Sequence, residues 1–558
     1  MTPSDADDTA NDHAAAAQAL ADRFWEELLE REPTFATAIG DDRYDDRLPD
    51  IGEVGRALTE TRNRAALQEL AAIDRSELDV TLRTTLDVLE AIATQAVEAV
   101  ELRTDRLYVA NHFVGPGVLL GDIASIQPTD TPERVDRYVA RLHALPAYLE
   151  SCAEIAREGV ASGVVSPRIV VERAVAQIER IVESGPEDAP PLAAVADDDS
   201  DARERVAAAW TDAVAPAFSR FLEVLRDYLP HAAESNALTD LPGGDAIYAA
   251  EIRSWTTLPL DPQEVHDLGN ERWNAIDAER HEVAARLGYP DPVTAIQERT
   301  ASGKDTPASA EALVELVEDQ VRRSWDVAPN WFGRLPKANC RVKEIEAYRA
   351  AEMALAFYMP PTADGARPGT YYINTHDIEG KALHQIASVT YHEANPGHHF
   401  QIALEMEFED RPALRRFGGL LAGSSFAEGW GLYSERLADD MGLYVDDWER
   451  LGMLAAQAHR AARLITDSGL HAFGWSREQA IEKLVAGGSP RGESEVEVDR
   501  YIALPAQALA YMVGMVEIED ARRRTETAEG DSFDLRAFHD RLLALGQLPL
   551  PALRRELA

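Results

Sequence analysis

The sequence predicts a mostly α-helical protein with a small β-sheet. The chain of 558 residues is rich in Ala, Leu and Glu, and stretches that alternate like strands are few and short. Apolar residues instead recur at helical spacing, as Leu20, Phe24 and Leu28 do. Prolines and glycines fall mainly between such stretches, where helices begin and end. The length suits about two to four domain-sized units, or one large helical body.

The N-terminal half of the chain is predicted to be a set of helices after a short leader. Residues 1–12 are polar and acidic, so we expect a disordered acidic leader there. Helices are predicted over 13–31, 56–75, 78–102, 132–160, 167–184 and 204–232. The pair Gly243-Gly244 marks the predicted boundary of this N-terminal helical half, 13–242.

The C-terminal half, 243–558, is predicted to be the catalytic half. It contains predicted helices over 262–287 and 308–328, and the best strand candidates at 341–347 and 370–374. These strands are expected to form a small sheet before a helix at 381–404, which carries the main motif of the chain.

The charge of the chain excludes several classes of partner. The net charge is −43, with 98 acidic and 55 basic residues spread along the whole length. Such a surface repels phosphate backbones and anionic lipids, so neither nucleic acid nor membrane is an expected partner. The pattern is typical of proteins from salt-accumulating halophiles. With two cysteines, no signal peptide and no long apolar run, we expect a cytoplasmic protein.

The stretch 390–401 combines potential metal ligands and a potential base. His392 and Glu393 begin it like the zinc-peptidase motif His-Glu-x-x-His, but the second histidine follows only at His398. Six residues apart on an unbroken helix, these two imidazoles would point in different directions. Pro396-Gly397 favours a bulge or break, which would return His398 to the face of His392. His399 remains the alternative ligand, although on an unbroken helix it lies roughly 10 Å further along the axis.

A zinc site with two histidines needs a third protein ligand, and the segment 426–435 supplies a candidate. Glu428 lies 30 residues beyond His398, a gap that fits one outgoing helix, a turn and an antiparallel return helix. Glu435, seven residues later, is either a rival ligand or a partner that orients a ligating imidazole. Glu393, next to a ligand histidine, is suited to act as general base.

Four stretches resemble the family catalogued as domain of unknown function 885, which is related to the zincin peptidases. They are His-Glu-x-x-Pro-Gly-His-x-x-Gln at 392–401, Phe-x-Glu-Gly-Trp-x-x-Tyr-x-Glu at 426–435, Asp-x-Gly-x-His at 467–471, and Arg-Tyr-x-x-x-Pro-x-Gln-Ala-x-x-Tyr at 500–511. This resemblance implies a zincin-like helical metallopeptidase fold, with a deep cleft and a small sheet near the metal site.

The wider likeness is to thimet-type oligopeptidases and helical metallo-carboxypeptidases, and it implies the roles of individual residues. One zinc ion per chain would be held by His392, His398 and Glu428, with Glu393 as the base. Tyr501, Tyr511 and His471 would be catalytic residues near the scissile carbonyl.

The function predicted from these observations is a zinc-dependent metallopeptidase that hydrolyses short peptides by metal-activated water. It would act as a carboxypeptidase, dipeptidase or oligopeptidase, and Arg436 or Arg500 would clamp a C-terminal carboxylate. Two alternatives stay open: a non-catalytic binding protein that retains the fold, and a metal-dependent amidase acting on non-peptide substrates.

Overall fold

The structure is a computed structural model that describes residues 3–345, 350, 354–361 and 368–557, with side chains from Asp12 onward. The chain divides into two compact units. The first contains residues 1–251, 470–477 and 496–505, and the second contains 252–469, 478–495 and 506–558. The predicted boundary at residue 243 falls close to the first division, but the return of two late segments to the first unit was not predicted.

Helices at 33–39, 105–108, 116–126 and 244–256 were not predicted, whereas the six predicted helices all have counterparts in the first unit. This unit is built from helices. They are α1 (Pro3–Arg31), α2 (Pro33–Ile39), α3 (Glu53–Leu70), α4 (Val80–Leu102), α5 (Asp105–Tyr108), α6 (Pro116–Ile126), α7 (Pro132–Ser162), α8 (Arg168–Glu183), α9 (Ser200–Ala209), α10 (Ala215–Tyr228) and the start of α11 (Gly244–Thr256).

Two further details of the first unit differ from the predictions. Helix α1 begins at Pro3, inside the predicted leader, because no proline or glycine interrupts the Ala-rich stretch that follows; Met1 and Thr2 lie outside the described residues. The predicted helix 204–232 is interrupted by a π-helical turn at Trp210–Val214. Pro216 follows this turn and has no N–H to continue the α-helical pattern. Gly244 begins α11, and a Cβ there would lie 1.7 Å from the Leu238 carbonyl oxygen.

The two late segments complete the first unit. One cluster of buried apolar residues in this unit extends from α6 to α10 and includes Leu142, Phe218 and Leu225. Beside it, the Asn111 side-chain amide donates to the Ala503 carbonyl (2.7 Å), and the Thr239 hydroxyl donates to the His471 carbonyl (2.8 Å). Polar groups of the connecting segments around residues 111 and 239 therefore find their partners in the two late segments of the chain.

The second unit contains the remaining helices and the sheet. Its elements are α12 (Pro262–Arg286), α13 (Pro292–Ala301), α14 (Ala310–Val327), β1 (Arg341–Glu344), β2 (Ala356–Met359), β3 (Thr370–Ile373), α15 (Leu383–Glu393), α16 (His398–Met406), α17 (Ala413–Phe417), α18 (Ser425–Asp440), α19 (Asp447–Ala472), α20 (Arg477–Ala486), α21 (Arg491–Ala503), α22 (Ala510–Glu529), α23 (Leu535–Leu545) and α24 (Leu550–Glu556). The ends of α19 and α21 and the first residue of α20 belong to the first unit.

The sheet has the strand order β1-β3-β2. Strand β3 pairs in parallel with β1, with Arg341 opposite Thr370, and antiparallel with β2. Both predicted strands are present, although residues 346 and 347 of the first one lie outside the described residues. Tyr371 and Ile373 are buried against α14 and α15. The prediction of a mostly helical fold with a small sheet is confirmed.

The predicted motif helix 381–404 is two helices, α15 and α16, separated by residues 394–397. Pro396 cannot donate a backbone hydrogen bond, and the Asn395-Pro396 peptide bond is cis. Gly397 lies so close to the preceding helix end that a Cβ would be 1.9 Å from the His392 carbonyl oxygen. The indole of Trp430 in α18 donates to the carbonyl of Pro396 (2.9 Å) and so ties the break to α18.

Among the described residues, no single helix is both long and apolar enough to cross a membrane, and one bent pair, Arg491–Ala503 with Gln507–Ser532, satisfies the criteria of length and composition.

Candidate metal centre

The break between α15 and α16 brings two imidazoles together. His392 lies in the last turn of α15, and His398 is the first residue of α16. Their ring centroids are 4.7 Å apart and their planes are nearly perpendicular, at 86°. Two histidines six positions apart thus share one small volume, because the chain is not helical between them.

Glu428 from α18 faces both rings. Its Oε2 atom lies 3.5 Å from Nε2 of His392 and 3.6 Å from Nε2 of His398. The helix α18 is antiparallel to α15, because the later residue Glu435 contacts Ser388 near the middle of α15, whereas the earlier residue Glu428 faces His392 at the C-terminal end of α15. The third predicted ligand is therefore brought to the two histidines by ordinary antiparallel helix packing.

Glu435 orients His392. One carboxylate oxygen of Glu435 lies 2.8 Å from Nδ1 of His392, and the other accepts a hydrogen bond from the Ser388 hydroxyl (2.8 Å). A proton on Nδ1 would be held by this carboxylate, so Nε2 is the ring nitrogen that faces Glu428 and that a metal ion would use. Of the two roles predicted for Glu435, this geometry corresponds to the orienting one.

A glycine makes room for the His392 ring. At Gly431 in α18, a Cβ would lie 2.6 Å from Cε1 of His392 and 2.8 Å from its Nε2. Any larger side chain would displace the imidazole, so packing requires glycine at position 431.

Glu393 completes the cluster. Its carboxylate and one nitrogen from each of His392 and His398 all lie within 4.8 Å of one another. Burial raises the pKa of Glu393, although the two neighbouring histidines act in the opposite direction. A carboxylate whose pKa is raised towards neutrality has the property that a general base requires.

The electrostatics of the cluster favour a cation. Burial alone would raise the pKa of Glu428, but its interactions with His392 and His398 outweigh burial and hold the pKa well below its usual value. Burial would lower the pKa of His392, whereas Glu428 and Glu435 raise it to about 10. Three carboxylates around two imidazoles thus stabilise positive charge, which a metal ion or protons can supply.

The donor set fits a tetrahedral zinc ion. Ligand atoms bonded at about 2.1 Å to one tetrahedral ion lie about 3.4 Å apart, close to the distances of 3.5 and 3.6 Å between Glu428 and the two histidines. The site is also accessible on one side. The His398 and Glu428 side chains are 13% and 20% exposed, whereas Glu435 is 1% exposed.

His399, the alternative ligand, is engaged elsewhere. It is fully buried, its Nδ1 lies 3.0 Å from the Tyr358 hydroxyl, and its Nε2 lies 3.0 Å from the Ala338 carbonyl oxygen. Burial lowers the pKa of His399 to about 4, so the ring is neutral and its proton satisfies the backbone carbonyl.

The residues predicted near the scissile carbonyl are distributed over both units. Tyr511, in the second unit, is partly exposed at the start of α22, with the Arg463 guanidinium 4.6 Å from its ring centroid. In the first unit, the Tyr501 hydroxyl donates to Glu497 (2.8 Å), and Nε2 of the fully buried His471 donates to the Tyr501 carbonyl (2.9 Å). The catalytic role of these three residues stays a prediction.

The two arginines predicted as clamps also have different surroundings. Arg436 forms an ion pair with Glu279 (2.7 Å), whereas Arg500 belongs to the first unit, 3.7 Å from Glu497. Two positions near the metal cluster were not singled out from the sequence. Ser388 was detectable by its spacing of one helical turn before His392, but Gly431 becomes meaningful only once the position of the His392 ring is known.

Comparison with known proteins identifies the family. The family model described as "Bacterial protein of unknown function (DUF885)" matches residues 33–557, nearly the whole chain. The chain belongs to family DUF885. No curated protein matches it.

Solved structures confirm the fold of this DUF885 protein. It is similar to the crystal structure of a candidate lipoprotein from Colwellia psychrerythraea, with a TM-score of 0.89, 23% sequence identity and 98% of each chain covered. It is also similar to a candidate lipoprotein of unknown function from Shewanella oneidensis, with a TM-score of 0.75, 18% identity and coverage of 96% of this chain and 98% of the other. At these identities the likeness establishes the fold alone.

Proposed function

We propose that this DUF885 protein is a zinc-dependent metallopeptidase that hydrolyses short peptides. The observation that carries the proposal is the convergence of His392, His398 and Glu428, in which Glu428 lies from each histidine nitrogen at about the edge length of a zinc tetrahedron. Glu393 beside them is the second element that hydrolysis requires. The zincin-like fold, its cleft and the relation to thimet-type oligopeptidases belong to the same proposal.

The roles of the residues follow from their positions. His392, His398 and Glu428 would hold the ion, and Glu435 would keep the Nδ1 proton of His392 in place. When bound, zinc supplies Lewis-acid activation of water and of the scissile carbonyl. The Glu393 carboxylate takes the proton from the attacking water and passes it to the leaving amine nitrogen. Tyr511 is the candidate in this unit for a hydrogen bond to the carbonyl oxygen.

We place the protein in the cytoplasm on the strength of its strongly acidic composition. The structural neighbours are described as candidate lipoproteins, which gives a membrane-anchored location as the rival. Cell fractionation with an antibody against the protein separates these two locations.

The experiment that tests the activity compares the wild type with Glu393→Gln. Both proteins, purified in high salt, are expected to hold one zinc by elemental analysis, because Glu393 is not a ligand. Removal of the general base should lower kcat for short peptides by about 100-fold or more. Equal turnover by the two proteins would contradict the proposed role of Glu393. Bound zinc without any peptide turnover by the wild type would favour the non-catalytic alternative.

A further inference from the structure

An arginine of α19 lies at the level of the metal centre. Helix α19 is antiparallel to α18, because Gln457 of α19 contacts the carbonyl of Leu432 whereas the earlier Arg450 pairs with the later Asp439 of α18. Helix α15 is also antiparallel to α18, so α15 and α19 run in the same direction. Gly452 packs against the carbonyl of His384 near the start of α15. Eight residues of helix after Gly452 advance about 12 Å, and nine after His384 advance about 13.5 Å. Arg460 therefore lies level with Glu393.

Arg460 lies on the face of α19 that is directed towards α15 and α18. Viewed along α19, Gly452 faces α15 and Gln457 faces α18, about 140° apart around the helix axis. Arg460 falls between these two directions, about 80° from Gly452 and about 60° from Gln457. The metal cluster lies where α15 and α18 meet. Consistent with this position, the pKa of Glu393 is raised by burial, and Arg460 is among the cations that act against this rise.

Arg460 lacks the carboxylate partner that other arginines of this acidic protein have. Arg450 on the same helix is paired with Asp439 and Asp447. In contrast, no described carboxylate lies within ion-pair distance of Arg460, whose Nε is buried without a hydrogen-bond partner. Within the part of the chain that the structure describes, its one hydrogen bond runs from a terminal nitrogen to the Ala456 carbonyl, at 3.3 Å. A half-buried guanidinium in this state is suited to bind an external carboxylate through two parallel hydrogen bonds.

We infer that Arg460 binds a carboxylate of the peptide substrate and so selects peptides with a negative charge close to the scissile bond. The inference rests on the proposed peptidase function and adds the substrate class to it. The carboxylate has two sources, the free C-terminus or the side chain of an Asp or Glu residue. Since Arg460 lies level with Glu393, and an extended residue spans about 3.5 Å, this carboxylate belongs within one or two residues of the cleaved bond.

The experiment uses the zinc-loaded full-length protein and three matched peptides. The first peptide has a neutral sequence and a free C-terminus, and the second has the same sequence with a C-terminal amide. The third also has the amide, but one residue next to the scissile bond is replaced by glutamate. We expect the wild type to prefer one of the two charged peptides over the neutral amide by about 10-fold to 100-fold in kcat/KM. Arg460→Ala should abolish this preference by slowing only the charged peptide. Arg460→Lys should retain part of it, and Arg450→Ala should leave it unchanged.

Binding of the same peptides to Glu393→Gln, measured by calorimetry, gives a readout that does not need turnover. A charged peptide that binds more tightly than the neutral amide to Glu393→Gln, but not to Glu393→Gln/Arg460→Ala, would support the inference. This result would support it even if the wild type hydrolysed none of the peptides. Absence of hydrolysis would count against the peptidase function alone. Equal affinity for all three peptides would overturn the inference. An equal loss of kcat/KM on all three peptides in Arg460→Ala would also overturn it, because the arginine would then act only on the metal centre.

Discussion

At the scale of single residues, the first prediction concerns which histidine holds the metal. His398→Ala should lose most of the bound zinc, because its Nε2 faces Glu428. His399→Ala should retain about one equivalent, because both ring nitrogens of His399 are engaged with Tyr358 and the Ala338 carbonyl. Elemental analysis after gel filtration measures this, with circular dichroism as a control for folding. Zinc retained by His398→Ala and lost by His399→Ala would reverse the assignment.

How far these residues could be predicted depends on how local their geometry is. Pro396 and Gly397 lie between the two histidines, so a helix break there could be expected from the sequence alone. The gap from His398 to Glu428 could be interpreted as an antiparallel return because it is one helix and a turn long. Arg460 could not be found in this way. Its relation to Glu393 depends on the direction of a third helix and on its contact at Gly452.

At the scale of elements, the motif helix α15 is held at its start by a buried aspartate. The carboxylate of Asp305 accepts from the His384 backbone N–H (3.1 Å) and from the Arg299 side chain (3.1 Å), and lies 2.5 Å from Nδ1 of His384. The backbone N–H of Leu383 donates to the backbone carbonyl of Asp305 (2.7 Å). Asp305 is 79 residues away from His384 in the chain, which is why the sequence did not reveal this N-terminal anchor.

Substitution of this aspartate should have a pH-dependent effect. Burial would raise the pKa of Asp305, but its hydrogen bonds with His384 and Arg299 hold the pKa below its usual value of 3.8. The charged form therefore stabilises the fold above about pH 4, and this contribution disappears as the pH falls through the lowered pKa. Asp305→Asn should lower the free energy of unfolding by about 2–3 kcal/mol at pH 7 and by clearly less at pH 3.

Urea unfolding at both pH values measures the effect of Asp305→Asn. The control is Asp261→Asn at the exposed start of α12, where asparagine caps a helix as well as aspartate does, so the change should stay within about 0.5 kcal/mol. A loss for Asp305→Asn that is the same at pH 7 and pH 3 would show that its charge is not the cause.

The pairing of α18 with α22 depends on two glycines in contact. A Cβ at Gly514 would lie 1.8 Å from the Ser425 carbonyl oxygen and 2.9 Å from Cα of Gly429. Gly514→Ala should therefore force the helices apart and destabilise the protein by about 3 kcal/mol or more. Gly121→Ala in α6 has open space and should be neutral or stabilising by about 0.5–1 kcal/mol. Thermal unfolding distinguishes them, and equal melting temperatures would contradict the tight contact.

The elements that the sequence predicted less well are those without a strong local pattern. The strand β2, Ala356–Met359, was missed because four residues without a clear alternation carry too little signal. It is a strand because β3 offers it a full edge of backbone partners. By contrast, the long helices α4, α7 and α12 begin at an aspartate or threonine cap, and the last two continue with proline, so their first residues could be predicted closely.

At the scale of the whole molecule, the net charge of −43 predicts a strong dependence on salt. Repulsion among the carboxylates opposes the compact state at low ionic strength, and salt screens it. We expect the melting temperature to rise by roughly 5 °C or more between 0.1 M and 2 M KCl. Potassium chloride is preferred to sulfate, which also strengthens apolar burial. A melting temperature that is independent of KCl would argue against adaptation to high salt.

The return of residues 470–477 and 496–505 to the first unit has a consequence for biosynthesis. A ribosome that has released the first 251 residues has not yet made the carbonyl of Ala503, which the amide of Asn111 requires, or that of His471, which receives the Thr239 hydroxyl. The first unit therefore cannot be completed until nearly nine-tenths of the polypeptide has been synthesised. For such a chain, we expect chaperones that bind the unfinished first unit to raise the yield of native protein.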